Sequence, residues 1–176
     1  MDNVVLTLDP TLLLGFTLAH AAWSIAEAER GELLCPLAFI GQKGKLELLR
    51  FESETQEDAI LKGKEYINLN KDTVDISSFA REGLLSEQHK KTDVIIAECW
   101  VKNELEHYSV VQKFLPNEGA GKFKLLEDPI IFVNGNVQSG DKENDLKEKI
   151  GKGIQSHSKV APLWNQWKDN IERYPR

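Results

Sequence analysis

A chain of 176 residues with 41% apolar and 28% charged side chains can bury a core without help from disulfides or metals, which excludes the disordered and disulfide-scaffold classes. Its 28 acids against 22 bases leave a net charge of −6, and a surface of that sign repels a phosphate backbone, so nucleic acid is not an expected partner.

The first eleven residues hold Asp2 and Asp9 and no Lys or Arg, whereas a secretory leader opens on basic residues. The apolar run that follows, 12–26, is shorter than the roughly 20 residues that span a bilayer, and His20 and Ser24 interrupt it. A buried helix over 10–27 in a soluble, cytoplasmic protein with no membrane contact is therefore expected. Asp9 is placed to cap its first turn and Pro10 to occupy the position where a missing N–H is harmless. Helical spacing sets Thr17, His20, Ser24 and Glu27 on one ridge, and the other sides are Leu, Phe, Ala, Ile and Trp. So narrow a polar stripe demands cover on two sides: a sheet on one, and the C-terminal helix or a second copy on the other.

Runs 33–40 and 45–51, joined by Gly41-Gln42-Lys43-Gly44, read as a hairpin, with Pro36 pointing to an edge or a bulge near the start of the first. Ser53 and Gln56 form a capping box before an amphipathic helix carrying Ala59, Ile60, Gly63, Tyr66 and Ile67 on one face. Val74 and Ile76 suggest a short strand, with 79–85 as a turn or loop. Alternation over 93–101 is the strongest strand signal: Ile95, Ala97, Cys99 and Val101 share one face, Val94, Ile96, Glu98 and Trp100 the other. Strands over 107–115, 123–126 and 129–133 continue a meander that ends at Asn134-Gly135. A charged helix opening at Asp141, Glu143, Asp145 and Leu146, and a final helix over 161–171 with Leu163, Trp164, Trp167 and Ile171, complete the chain. The expected fold is one α+β domain over 1–176, with 139–176 as a helical C-terminal extension. Its mostly antiparallel sheet has five to six strands, packed with the N-terminal apolar helix, the central amphipathic helix and the C-terminal helices.

Chemistry-bearing motifs are sparse. Gly119-Ala-Gly-Lys122 resembles the end of a phosphate loop, but the first glycine would fall at Pro116 and Phe123 replaces the metal-binding hydroxyl, so it reads as a turn. No dinucleotide fingerprint, nucleophile elbow, zinc-protease helix or paired-cysteine motif occurs. Cys35 and Cys99 lie in apolar runs and read as reduced core thiols. Glu98, Cys99, Glu104, Glu106 and His107 gather around one hairpin, but alternation turns Cys99 into apolar surroundings that oppose thiolate formation. His89 and His157 sit in polar segments without ligand spacing, so no metal, catalytic residue or cofactor is assigned.

The polar ridge has two readings. The simpler leaves it as the helix face in water. The functional one has His20, Ser24 and Glu27 line a small-molecule pocket with Glu98 and Trp100 between sheet and helix. The leading expectation is a non-enzymatic binding or assembly protein that homodimerises through its apolar helices; the alternative is a small-molecule-binding protein or enzyme using that pocket. Capture of a protein partner at a free strand edge is a third possibility.

Overall fold

The computed structural model describes residues 6–29, 31–117 and 122–169. Among them, strands β1 (Leu37–Gln42), β2 (Lys45–Arg50), β3 (Ile76–Glu87), β4 (Lys90–Val101), β5 (His107–Leu115), β6 (Lys124–Val133) and β7 (Asn136–Val137) form one antiparallel sheet ordered β2-β1-β3-β4-β5-β6-β7. The helices are α1 (Pro10–Glu27), α2 (Gln56–Asn70), α3 (Gly140–Gln155) and α4 (Ala161–Asp169). The α+β class stands, with seven strands where five to six were expected. No helix among the described residues is long and apolar enough to cross a membrane.

α1 begins as its sequence predicts: the Asp9 carboxylate accepts from the Thr11 and Leu12 amides, and Pro10 is the first helical residue. It lies across the middle of the sheet on Ser78, Ala80, Ala97 and Cys99, all completely buried. Those small side chains let the helix come close. Thr17 makes the contact polar: its hydroxyl donates to the Leu13 carbonyl (2.8 Å) and so accepts from the Ser78 hydroxyl at 2.6 Å.

The second cover of α1 is α3, within the same chain. A Cβ on Gly15 would run into the Ile150 carbonyl, and one on Gly153 into the Leu12 carbonyl, so glycine on each helix permits backbone contact at the crossing. α3 turns Leu146, Ile150 and Ile154 inward, while Lys147–Glu143, Lys149–Asp145 and Lys152–Glu148 pair along it one turn apart. The final helix, expected as a candidate cover, packs instead beside β6, where Trp164 is buried and Trp167 meets the Phe123 ring edge-on. Ile171, expected to end it, lies outside the described residues. The apolar surface of α1 is thus consumed inside the chain.

On the opposite sheet face α2 covers only one end, over Ala38, Ile40 and Phe79. Gly63 allows this, because a Cβ there would strike the Phe79 ring.

Four local expectations are corrected. Residues 76–101 form a long hairpin of two 12-residue strands, not a short strand followed by a loop; its tip, Gln88 and His89, has both φ angles positive (48° and 68°). That turn geometry normally announces itself through Asn-Gly or Gly, which positions 88 and 89 lack. Residues 124–133 form one strand across a bulge at Glu127 (φ 58°), whose carbonyl is among three bonded by the buried Gln112 amide. The cap of α2 is Thr55, accepting from Asp58 N–H, and Gln56 bonds the Leu34 carbonyl instead of closing a box with Ser53. Pro36 precedes β1, which is an interior strand between β2 and β3.

Candidate functional site

The polar ridge of α1 is split by its surroundings. Thr17 points into the core, His20 and Ser24 are half-buried, and Glu27 is exposed. Ser24 donates to the His20 carbonyl one turn back. Glu98 and Trp100 lie on the other side of the sheet: they alternate with Cys99, which faces α1, and Trp100 packs against the α2 cluster. The expected pocket between sheet and helix combining all five residues is therefore not formed. The space it would need is closed by the direct Thr17–Ser78 bond.

His20 instead joins two residues that sequence spacing did not connect to it. The Arg50 guanidinium, at the end of β2, lies 3.3 Å from His20 Nε2, and His20 Nδ1 lies 2.9 Å from His157 Nε2 in the turn between α3 and α4. Arginine can only donate, so Nε2 of His20 accepts, its proton sits on Nδ1, and that proton is given to His157 Nε2. His157 must then carry its own proton on Nδ1, a buried atom with no hydrogen-bond partner beyond its own backbone. The bond pattern is complete only while both rings are neutral. Burial first, then His157 and the Arg50 charge, push the His20 pKa down to about 4; burial first, then Lys159, lowers that of His157.

Aromatic rings enclose the pair. Phe39 meets His20 edge-on at 5.3 Å, Phe16 lies 5.0 Å from His157, and Trp23 carries Lys159 over its face at 5.5 Å. Beyond Trp23 opens a shallow cleft of about 290 Å³ whose walls include Ser24, Glu27, Glu32, Cys35 and Arg50. Burial raises the Cys35 pKa, so its sulfur is held as a thiol that donates to the Phe51 carbonyl. At neutral pH the region therefore holds two neutral imidazoles and an unionised thiol.

The hairpin grouping separates as alternation predicts. Cys99 is fully buried against α1, and burial, aided by Asp9, holds its pKa far above the ordinary thiol range. His107 lies on the opposite face, stacked on Trp100 at 6.1 Å. Glu106 accepts from the Tyr108 hydroxyl. His107, the base that spacing brings nearest, is thus on the wrong side of the sheet to reach the thiol. Among the described residues no three His, Cys, Asp or Glu side chains gather as a metal site.

A second small cleft, about 120 Å³, lies past the end of α1 between Ile25, Glu29, Glu82, Asp93 and Phe114. Burial, reinforced by Asp93 and opposed by a bond from the Leu34 backbone, pushes the Glu82 pKa up to about 7. No periodicity marked Glu82, because its strand was read as a loop.

Part of the sheet is left without a covering helix. Ile96, Trp100, Val111, Leu126, Ile130 and Phe132 project from β4, β5 and β6 on the face away from α1, all half-buried. Beyond the α2 cluster that Trp100 borders, no described helix lies over them. Arg81, Glu98 and Lys113 occupy the same face, and Lys113 is held by Glu87 at 2.8 Å and Glu127 at 3.0 Å. Comparison with protein-family models, curated proteins and solved structures gave no significant match.

Proposed function

We propose that this chain is a non-enzymatic binding and assembly protein that self-associates, and that the interface is the uncovered sheet face. The observation that carries this reading is the half-buried apolar row Ile96, Trp100, Val111, Leu126, Ile130 and Phe132, adjacent residues on one sheet face that a partner could finish covering. A second copy is the occupant, because the face matches itself. In a twofold pairing each residue meets its counterpart's neighbourhood, and Glu98 shares this apolar field with the cations Arg81 and Lys113, so both signs are available to both partners. The apolar helices no longer serve, since α1 has both covers within the chain. A reducing cytoplasm suits the two free cysteines, of which Cys35 is only half-buried.

Light scattering across micromolar concentrations tests the proposal. The wild type is expected at twice the mass of one chain, and Val111→Glu at the mass of one chain with an unchanged circular dichroism spectrum. A wild type that stays monomeric throughout refutes it.

The alternative, small-molecule binding, is favoured by one observation: the cleft beyond Trp23 combines an aromatic face with charges of both signs at Glu27, Glu32 and Arg50. Amino acids and other small zwitterions fit that chemistry. They should raise the melting temperature of the wild type and not of Arg50→Gln, and no shift with any of them removes this reading.

A further inference from the structure

We propose that the His20–His157 pair, joined to Arg50, is an acid-released latch that holds the α3–α4 turn against α1 and β2. Three elements far apart in sequence meet in one directional chain of hydrogen bonds, from the Arg50 guanidinium to His20 Nε2 and from His20 Nδ1–H to His157 Nε2. Each acceptor in that chain is an imidazole lone pair, and a proton on either lone pair abolishes one link. Protonated His20 turns an N–H toward the guanidinium. Protonated His157 turns an N–H toward the Nδ1–H of His20.

The electrostatic setting makes the switch one-sided. Arg50 from β2 acts on His20 and Lys159 from the turn acts on His157, so the side-chain charges that shift the rings are cationic, while the carboxylates Glu27 and Glu32 line the cleft beyond Trp23 with Arg50. Phe16, Phe39 and Trp23 supply ring faces and no carboxylate. Added protons therefore find no carboxylate bonded to either ring among the described residues, and the open arrangement, where water solvates the imidazolium, takes them up more readily. Because the closed-state values lie below the ordinary 6.5, with His20 at about 4, the latch is shut above pH 6.5 and releases as the pH falls toward 4. The proton on His157 Nδ1, buried without a partner outside its own residue, is the weak point that release relieves.

What the latch controls is the turn 156–160. Lys159 over Trp23 is its second tie to α1, and this cation–π contact depends on the turn staying in place. Release uncovers Phe16 and Phe39, which now pack on the two imidazoles.

Hydrogen–deuterium exchange of the full chain at pH 7 and pH 4.5, corrected for intrinsic rates, tests this directly. Peptides covering 154–162 should exchange well over tenfold faster at pH 4.5, because the shut value of about 4 for His20 lies more than two units below the open 6.5, while peptides of β4 should not change. The double variant His20→Asn, His157→Gln keeps a donor and an acceptor at the two joined positions but has no ring to titrate, and its turn should stay equally protected at both pH values. Nitrogen-15 shifts of the histidine rings should report the Nδ1–H tautomer for both residues at pH 7. Equal protection of the wild-type turn at the two pH values overturns the latch, and so does a double-variant turn that loosens in acid as the wild type does.

Discussion

The two faces of one sheet are built on different terms. Toward α1 the strands offer a floor of Ser78, Ala80, Ala97 and Cys99, and the helix descends until a threonine and a serine share a hydrogen bond. Behind it α3 closes the layer through the Gly15–Gly153 crossing. On the reverse face the side chains are larger, α2 covers one end, and the remainder is left half-covered. Adjacent residues separate cleanly between these environments: Ile95, Val110 and Ile131 are buried, while Ile96, Val111 and Ile130 are only half-buried. The difference teaches that the apolar excess of the chain, which its sequence concentrates in α1, is buried within the chain, while the reverse face of the strands is left partly covered.

Substitution across that divide should give the largest effects. Ile95→Ala opens a cavity under α1 and is expected to cost about 3–4 kcal/mol in urea denaturation, whereas Ile96→Ala should cost about 1 kcal/mol, since water already reaches that side chain. Equal costs would erase the distinction between the faces. Gly153→Val places a Cβ against the Leu12 carbonyl, and backbone cannot yield as a side chain can, so about 3 kcal/mol should be lost. A loss under about 1 kcal/mol, below the usual range for such overpacking, would show that α3 does not seat on α1 in this way.

Smaller effects should follow pH, with opposite signs at the two ends of the buried layer. His20, with a folded value of about 4 against 6.5, contributes stability that is present above pH 6.5 and lost as the pH falls through 4. Glu82, at about 7 against 4.5, contributes stability that is present below pH 4.5 and lost as the pH rises through 7. Over the overlapping window the two slopes oppose each other. Melting temperatures relative to wild type should therefore improve for Glu82→Gln on going from pH 5 to pH 8, and for His20→Asn on going from pH 7 to pH 4. Parallel trends in the two variants would contradict the assignment.

The parts of this architecture legible in the sequence are those with local signals. α1 runs from Pro10 to Glu27 because Asp9-Pro10 is a start signal, and its need for two covers follows from the narrow polar stripe. The alternation that turns Cys99 toward α1 also correctly separates it from His107. Long-range features were not legible. Gln88-His89 forms a tight hairpin turn without the residues that normally favour one, so the strands on either side looked unrelated. The identity of the second cover depends on Gly153, which in a charged helix reads as a weak spot until the Leu12 backbone of α1 is placed against it. The site suffered similarly: His20 was singled out, but Arg50 and His157, at 30 and 137 residues' remove, were not, and Glu98 and Trp100 were joined to it across a sheet that separates them. Spacing along a chain reports which residues share an element's face; it does not report which faces meet.

Methyl NMR on dilution tests the central claim most directly, because neighbouring residues supply both signal and control. As the chain is diluted through its association range, the methyl resonances of Ile96, Val111 and Ile130 should shift together while those of Ile95, Val110 and Ile131, one residue away on the α1 side, stay in place. Resonances of both sets that are indifferent to concentration, or a shift confined to the α1 side, would contradict an association surface on the open face of the sheet.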